Sequence, residues 1–121
     1  MRGLPIQSAA SGSCRPDRTT LCLLDGRFAI QVDWSNPGNG TSGQGGADRL
    51  SNLVGTFFFT EASNVELMTK VIPFPDRVVF FYGALSDLAY TIRVNDTLTG
   101  AARTYQSTPG KLCGGLDNSA F

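Results

Sequence analysis

The side chains of this chain that could do chemistry are three cysteines, Cys14, Cys22 and Cys113, and ten acids. The acids are Asp17, Asp25, Asp33, Asp48, Glu61, Glu66, Asp76, Asp87, Asp96 and Asp117, and there is no histidine. Without an imidazole the Ser-His-Asp and Cys-His nucleophile systems and the usual zinc and copper ligand sets drop out together. What remains for catalysis is a carboxylate pair of the kind used in glycoside hydrolysis. These acids fall mostly in turn-forming stretches or on the polar side of alternating ones, which favours solvated turn acids. No D-x-D-x-D-G sequence is present, although a calcium site built from loop carbonyls and scattered oxygens stays open. The sequence is therefore read as that of a non-enzyme, with no cofactor and no metal ligand assigned.

The segment between the first two cysteines, CRPDRTTLC, contains Pro16 and the turn former Asp17. A disulfide closing this nine-residue ring would add about 2.5 kcal/mol on the loop-entropy account. A Cys14–Cys22 bridge is the favoured reading and places the protein outside the cytosol. The alternative is two unpaired thiols. Cys113 is then odd, and three fates are open: a buried small hydrophobe, a free reactive thiol, or half of an intermolecular bridge.

Ten basic and ten acidic side chains cancel, and neither sign forms a block. Nucleic acid and anionic membranes are therefore not expected partners. No stretch approaches the ~20 apolar residues of a membrane helix, and the N-terminus lacks the apolar run of a signal peptide, so if the protein is exported the sequence is expected to be its mature form. Trp34, Tyr82, Tyr90 and Tyr105 could stack on a sugar ring. Trp34 shares its side of a strand with Phe28, Ile30 and Val32 and is expected in the core, leaving Tyr82 and Tyr105 as candidate ligand contacts. Asn39-Gly40-Thr41 and Asn95-Asp96-Thr97 match the glycosylation pattern and are read as chance.

The elements that must carry these groups are strands. Leu21, Leu23 and Leu24 lead into Asp25-Gly26, a dipeptide suited to a type I′ hairpin turn, and then into RFAIQVDW, where Phe28, Ile30, Val32 and Trp34 alternate with Arg27, Ala29, Gln31 and Asp33. VGTFFFT, NVELMTKVI, RVVFFYGAL, LAYTIRVND and AARTYQS follow, each rich in β-branched and aromatic residues and bounded by turn formers. Val78 to Tyr82 is apolar throughout, as suits a strand covered on both faces or one whose outer face meets a partner. Residues 35–52, with Gly38, Gly40, Gly43, Gly45 and Gly46, read as a long surface loop without a phosphate-binding motif, and residues 111–121 as an irregular tail. No helical repeat is visible. The expected fold is all-β, an antiparallel β-sandwich of Greek-key or jelly-roll type with seven or eight strands over residues 14–121. Residues 1–13, small and uncharged after Arg2, form an extended N-terminal arm.

LCLLDGRFAIQVDW, NVELMTKVI, FFYGALSDLAYTIRVNDTLTG and the closing Asp117 to Phe121 together resemble an uncharacterised domain of secreted bacterial proteins. That family has an LCL-x-x-GRF-x-V-x-V-x-W strand pair, an FYGALSD-x-x-Y-T-I-x-V-x-D-x-x-T-G stretch and a C-terminal D-T-x-A-F. The resemblance implies a module of exported proteins with no established catalytic residues. Cys113 departs from the pattern.

These observations lead to a non-catalytic extracellular or cell-surface subunit. Its arm, with Leu4, Pro5, Ile6, Ala9 and Ala10, adds as a strand to a neighbouring copy, giving a self-polymer that Cys113 could lock covalently. The competing reading is an accessory module for a glycan or a protein ligand such as a protease. A weaker third is an enzyme with two carboxylates.

Overall fold

The computed structural model describes residues 12–107 and 114–121. Arm residues Leu4, Pro5, Ile6, Ala9 and Ala10, and also Cys113, lie outside the described residues.

The described chain is an all-β sandwich of two antiparallel sheets. Sheet A contains β1 (Leu21–Leu23), β2 (Phe28–Asn36), β3 (Thr41–Gln44), β8 (Ala89–Asp96) and β9 (Ala102–Gln106). Sheet B runs β4 (Gly46–Arg49), β5 (Val54–Phe58), β6 (Val65–Pro73), β7 (Val78–Ala84) and β10 (Gly114–Asp117), in spatial order β10-β7-β6-β5-β4. β2 is the backbone of sheet A: β8 pairs along one side of it, while β1 and β3 share the other. The expected alternation in β2 is the observed one, with Phe28, Ile30, Val32 and Trp34 buried and the residues between them half exposed. The two inner faces close over a core that includes Phe57, Leu67, Val71, Phe80, Ile92 and Val94, which is the interdigitation that makes a sandwich stable.

Asp25 and Gly26 both have positive φ, 54° and 79°, and the Arg27 amide donates to the Leu24 carbonyl at 3.0 Å, so the hairpin turn is of the expected type I′. Leu24 is also left-handed, at φ 53°, a conformation that costs a side-chain-bearing residue roughly 1–2 kcal/mol. Asn52 holds it there: its carbonyl accepts the Leu24 amide at 2.7 Å and its Oδ1 the Asp25 amide at 2.8 Å.

Ten strands are present among the described residues, more than the seven or eight expected, because two stretches read as irregular contain strands. The glycine-rich stretch carries β3 and β4, and the tail carries β10. The missing signal has a steric cause. A Cβ on Gly46 would sit 2.1 Å from the Phe58 ring, one on Gly43 would press the Trp34 indole at 3.3 Å, and one on Gly115 would meet the Tyr82 hydroxyl at 2.6 Å. Aromatic rings from neighbouring strands lie over these backbones, so the strands need glycine and carry few of the apolar side chains by which a strand is recognised.

Candidate functional site

The two outer faces of the sandwich differ in chemistry. On sheet A the outward positions of β2, β8 and β9 include Gln31, Asp33, Thr91, Arg93, Thr104 and Gln106, with Arg93 donating to the Asp33 carboxylate and Gln31 bonded to Thr20 at 3.0 Å. That face is polar. On sheet B the register places Lys70, Phe81 and Leu116 side by side across β6, β7 and β10, and beside them Met68, Gly83 and Gly114. Met68 is 44% exposed, Phe81 40% and Leu116 55%. Among the described residues, nothing beyond its chain neighbours approaches within 4 Å of where a Gly83 Cβ would stand. The result is an open groove of about 360 Å³ lined by Met68, Thr69, Lys70, Phe81, Tyr82 and Gly83.

This face reaches the edge of its sheet. β10 pairs only with β7 among the described strands, and β9 only with β8, so both have a side unpaired within these sheets. The Tyr105 hydroxyl, on β9, donates to Asp117 Oδ2, on β10, at 2.8 Å and ties the last strands of the two sheets together. Burial raises the Tyr105 hydroxyl above the usual phenol range, and the bond to Asp117 and that carboxylate's charge raise it further. The opposite side of the sandwich is more closed. There β1 touches β4 and β5, and the Ala47 amide of β4 donates to the Arg18 carbonyl at 2.9 Å.

The candidate ligand residues Tyr82 and Tyr105 stand together at the β9/β10 end, ring centroids 5.4 Å apart, with Phe80 5.0 Å from Tyr105 and Tyr90 6.3 Å from Tyr82. Both are half-buried. Trp34 is in the core as expected, stacked on Phe59 at 5.8 Å, and its buried Nε1 has no hydrogen-bond partner among the described residues. Phe57 and Phe59 also face the core, while Phe58 covers Gly46.

Cys14 and Cys22 form the expected disulfide, with Cα atoms 5.8 Å apart. It holds the N-terminal segment on sheet A. The Gly12 amide donates to the Asp25 carbonyl at 3.1 Å, the Cys14 amide to the Gly26 carbonyl at 3.0 Å and the Ser13 amide to Thr97 Oγ1 at 3.0 Å. A Cβ on Gly12 would meet the Gly26 carbonyl oxygen at 2.2 Å, so this contact requires glycine.

Several acids serve structure. Asp96, 1% exposed, receives Arg27 Nε and Nη2, and Glu66, 5% exposed, accepts the Phe59 amide through Oε2 at 2.9 Å. Asp17 Oδ1 accepts the amides of Thr19 and Thr20 inside the disulfide ring; the Thr19 amide bond leads the contacts that lower its carboxyl below the usual range. No group of three or more Cys, Asp or Glu gathers as a metal site among the described residues. No helix there is long and apolar enough to cross a membrane.

Met68, Phe81 and Leu116 were legible to different degrees. Phe81 belongs to the run that is apolar on both faces. Met68 stands where β6 otherwise places Glu66 and Lys70, and Leu116 is in the stretch read as a tail. No protein-family model, curated protein or solved structure matches the chain.

Proposed function

We propose that this protein is a non-catalytic, extracellular structural subunit that self-assembles, the segment around Leu4 to Ala10 of one copy adding as a strand to the sandwich of the next. The observation that carries the reading is that the last strand of each sheet, β9 and β10, has one side unpaired within the described sheets. An open edge presents a row of amide and carbonyl groups ready for another chain. The Cys14–Cys22 bridge supports export to an oxidising compartment. The resemblance to a module of secreted bacterial proteins agrees with both. Gly12 is bonded to Asp25, and a donor segment of eight extended residues ahead of it would span roughly 26 Å. Electron microscopy of the untreated protein tests this directly. Filaments are expected from the full chain and their loss from a chain lacking residues 1–11; polymers of the shortened chain would end the strand-addition reading.

The groove over Gly83 favours a second reading, an accessory module that takes a glycan or protein ligand against Met68 and Phe81. It requires a monomer with saturable binding, which a glycan array and a pull-down would reveal.

A further inference from the structure

The open edges of the sandwich are not chemically equivalent. β3 exposes only Thr41, Ser42, Gly43 and Gln44, and β9 turns Ala102, Thr104 and Gln106 outward. β1 lies against β4 and β5, and β4 already has its Ala47 amide on Arg18. β10 alone among them joins an unpaired side to an exposed apolar surface, since Leu116 continues across the sheet into Phe81 and, one row over, Met68. Over β6, β7 and β10, Lys70 is the one charged side chain in these two rows, and the Met68 row reaches Asp48 only on the far strand β4. The segment GLPIQSAA, residues 3–10, has no charge to hold in water and, added as an extended strand, would present Leu4 and Ile6 on one side. Residues two apart also direct their main-chain N–H and C=O groups to the same edge. When Leu4 and Ile6 bond to an acceptor strand, Pro5 points its missing N–H away from it, where none is needed.

Resting on the reading above, we infer that the acceptor is the β10 edge of sheet B, where Leu4 and Ile6 of a second copy lie beside Leu116 and extend the apolar face of Phe81 and Met68. Two full-length variants test it. Leu4→Lys/Ile6→Lys disables the donor, and Leu116→Lys disables the acceptor at a position exposed enough to tolerate the change. Sedimentation velocity should find each variant monomeric, with association weakened about tenfold or more. Mixed together they should form a one-to-one complex and stop there, because only one functional donor and one functional acceptor remain. If Leu116→Lys assembles like the unaltered chain while Leu4→Lys/Ile6→Lys does not, the β10 assignment is wrong and the arm reading survives. Assembly of Leu4→Lys/Ile6→Lys, or a monomeric unaltered chain, removes the arm reading and this inference with it. Should Leu116→Lys lose its fold by circular dichroism, Met68→Lys, two strands in from the edge, replaces it and should weaken association less than the donor variant does; association left unchanged would count against β10.

Discussion

Arg27 grips Asp96 with two hydrogen bonds, Nε to Oδ1 at 3.1 Å and Nη2 to Oδ2 at 2.8 Å, joining the first residue after the β1–β2 turn to the last residue of β8. The Leu98 amide also donates to Asp96 Oδ1 at 3.0 Å. Asp96→Ala would leave the Arg27 guanidinium, about a quarter exposed, without its partner. A loss of about 3–5 kcal/mol is expected, the range for breaking a buried pair from one side. Urea unfolding followed by circular dichroism measures it, and a loss below about 1 kcal/mol would mean that water replaces the carboxylate.

The same carboxylate contributes to stability in acid. Burial pushes Asp96 up, but the Arg27 hydrogen bonds, the Leu98 amide, Thr99 and the Arg27 charge together hold it below the usual range. Its contribution is therefore present above the ordinary carboxyl value near 4 and is lost as pH falls through the lower folded value. Melting temperatures measured from pH 6 down to 2 should decline below about pH 4 in the unaltered chain, and less steeply in Asp96→Asn.

Tyr105, whose hydroxyl is raised, contributes to stability in base. A raised group contributes fully below its unfolded value, about 10 for tyrosine, and that contribution disappears as pH climbs toward the folded value. Tyr105→Phe should lower the melting temperature near neutral pH and flatten the decline above pH ~10. A decline equally steep in both proteins would place its origin elsewhere.

Gly12→Val puts a branched side chain where even a Cβ would stand 2.2 Å from a carbonyl oxygen. Residues 12–14 should then leave the hairpin turn. Hydrogen exchange should show faster amides at Ser13 and Cys14, which donate to Thr97 and Gly26, while the strands of sheet B keep their protection.

Trp34 is the only tryptophan of the chain and is 9% exposed. Its fluorescence should be blue-shifted in the native protein and move red on unfolding. Serine at both Cys14 and Cys22 should lower the urea midpoint by the equivalent of about 2.5 kcal/mol. A tryptophan signal already red-shifted in native buffer would contradict the packing of Trp34 on Phe59.

Strands that bury one face were readable because period-2 alternation is a direct image of burial, and β2 and β8 show it residue by residue. The type I′ turn was readable because Asp-Gly tolerates the positive φ it requires. β3, β4 and β10 were not, since backbone covered by a neighbour's aromatic ring is written in the sequence as glycine, which also marks loops. The outer face of sheet B was half legible: the apolar run Val78 to Tyr82 raised the question of a partner, but only the register brings Met68 and Leu116 beside Phe81. The buried carboxylates were misleading in another way, because the sequence does not tell a turn acid in water from Asp96 held by Arg27.

The Cys14–Cys22 bond also decides how the domain would carry a mechanical load. A pull on the residues ahead of Gly12 acts first on hydrogen bonds to the Asp25 and Gly26 carbonyls and then arrives at Cys14. From there the covalent link hands the tension to Cys22, inside a strand laddered to β2, so residues 15–21 stay slack. The pulling point thus becomes the body of sheet A, and the segment can be tugged without peeling the ring open.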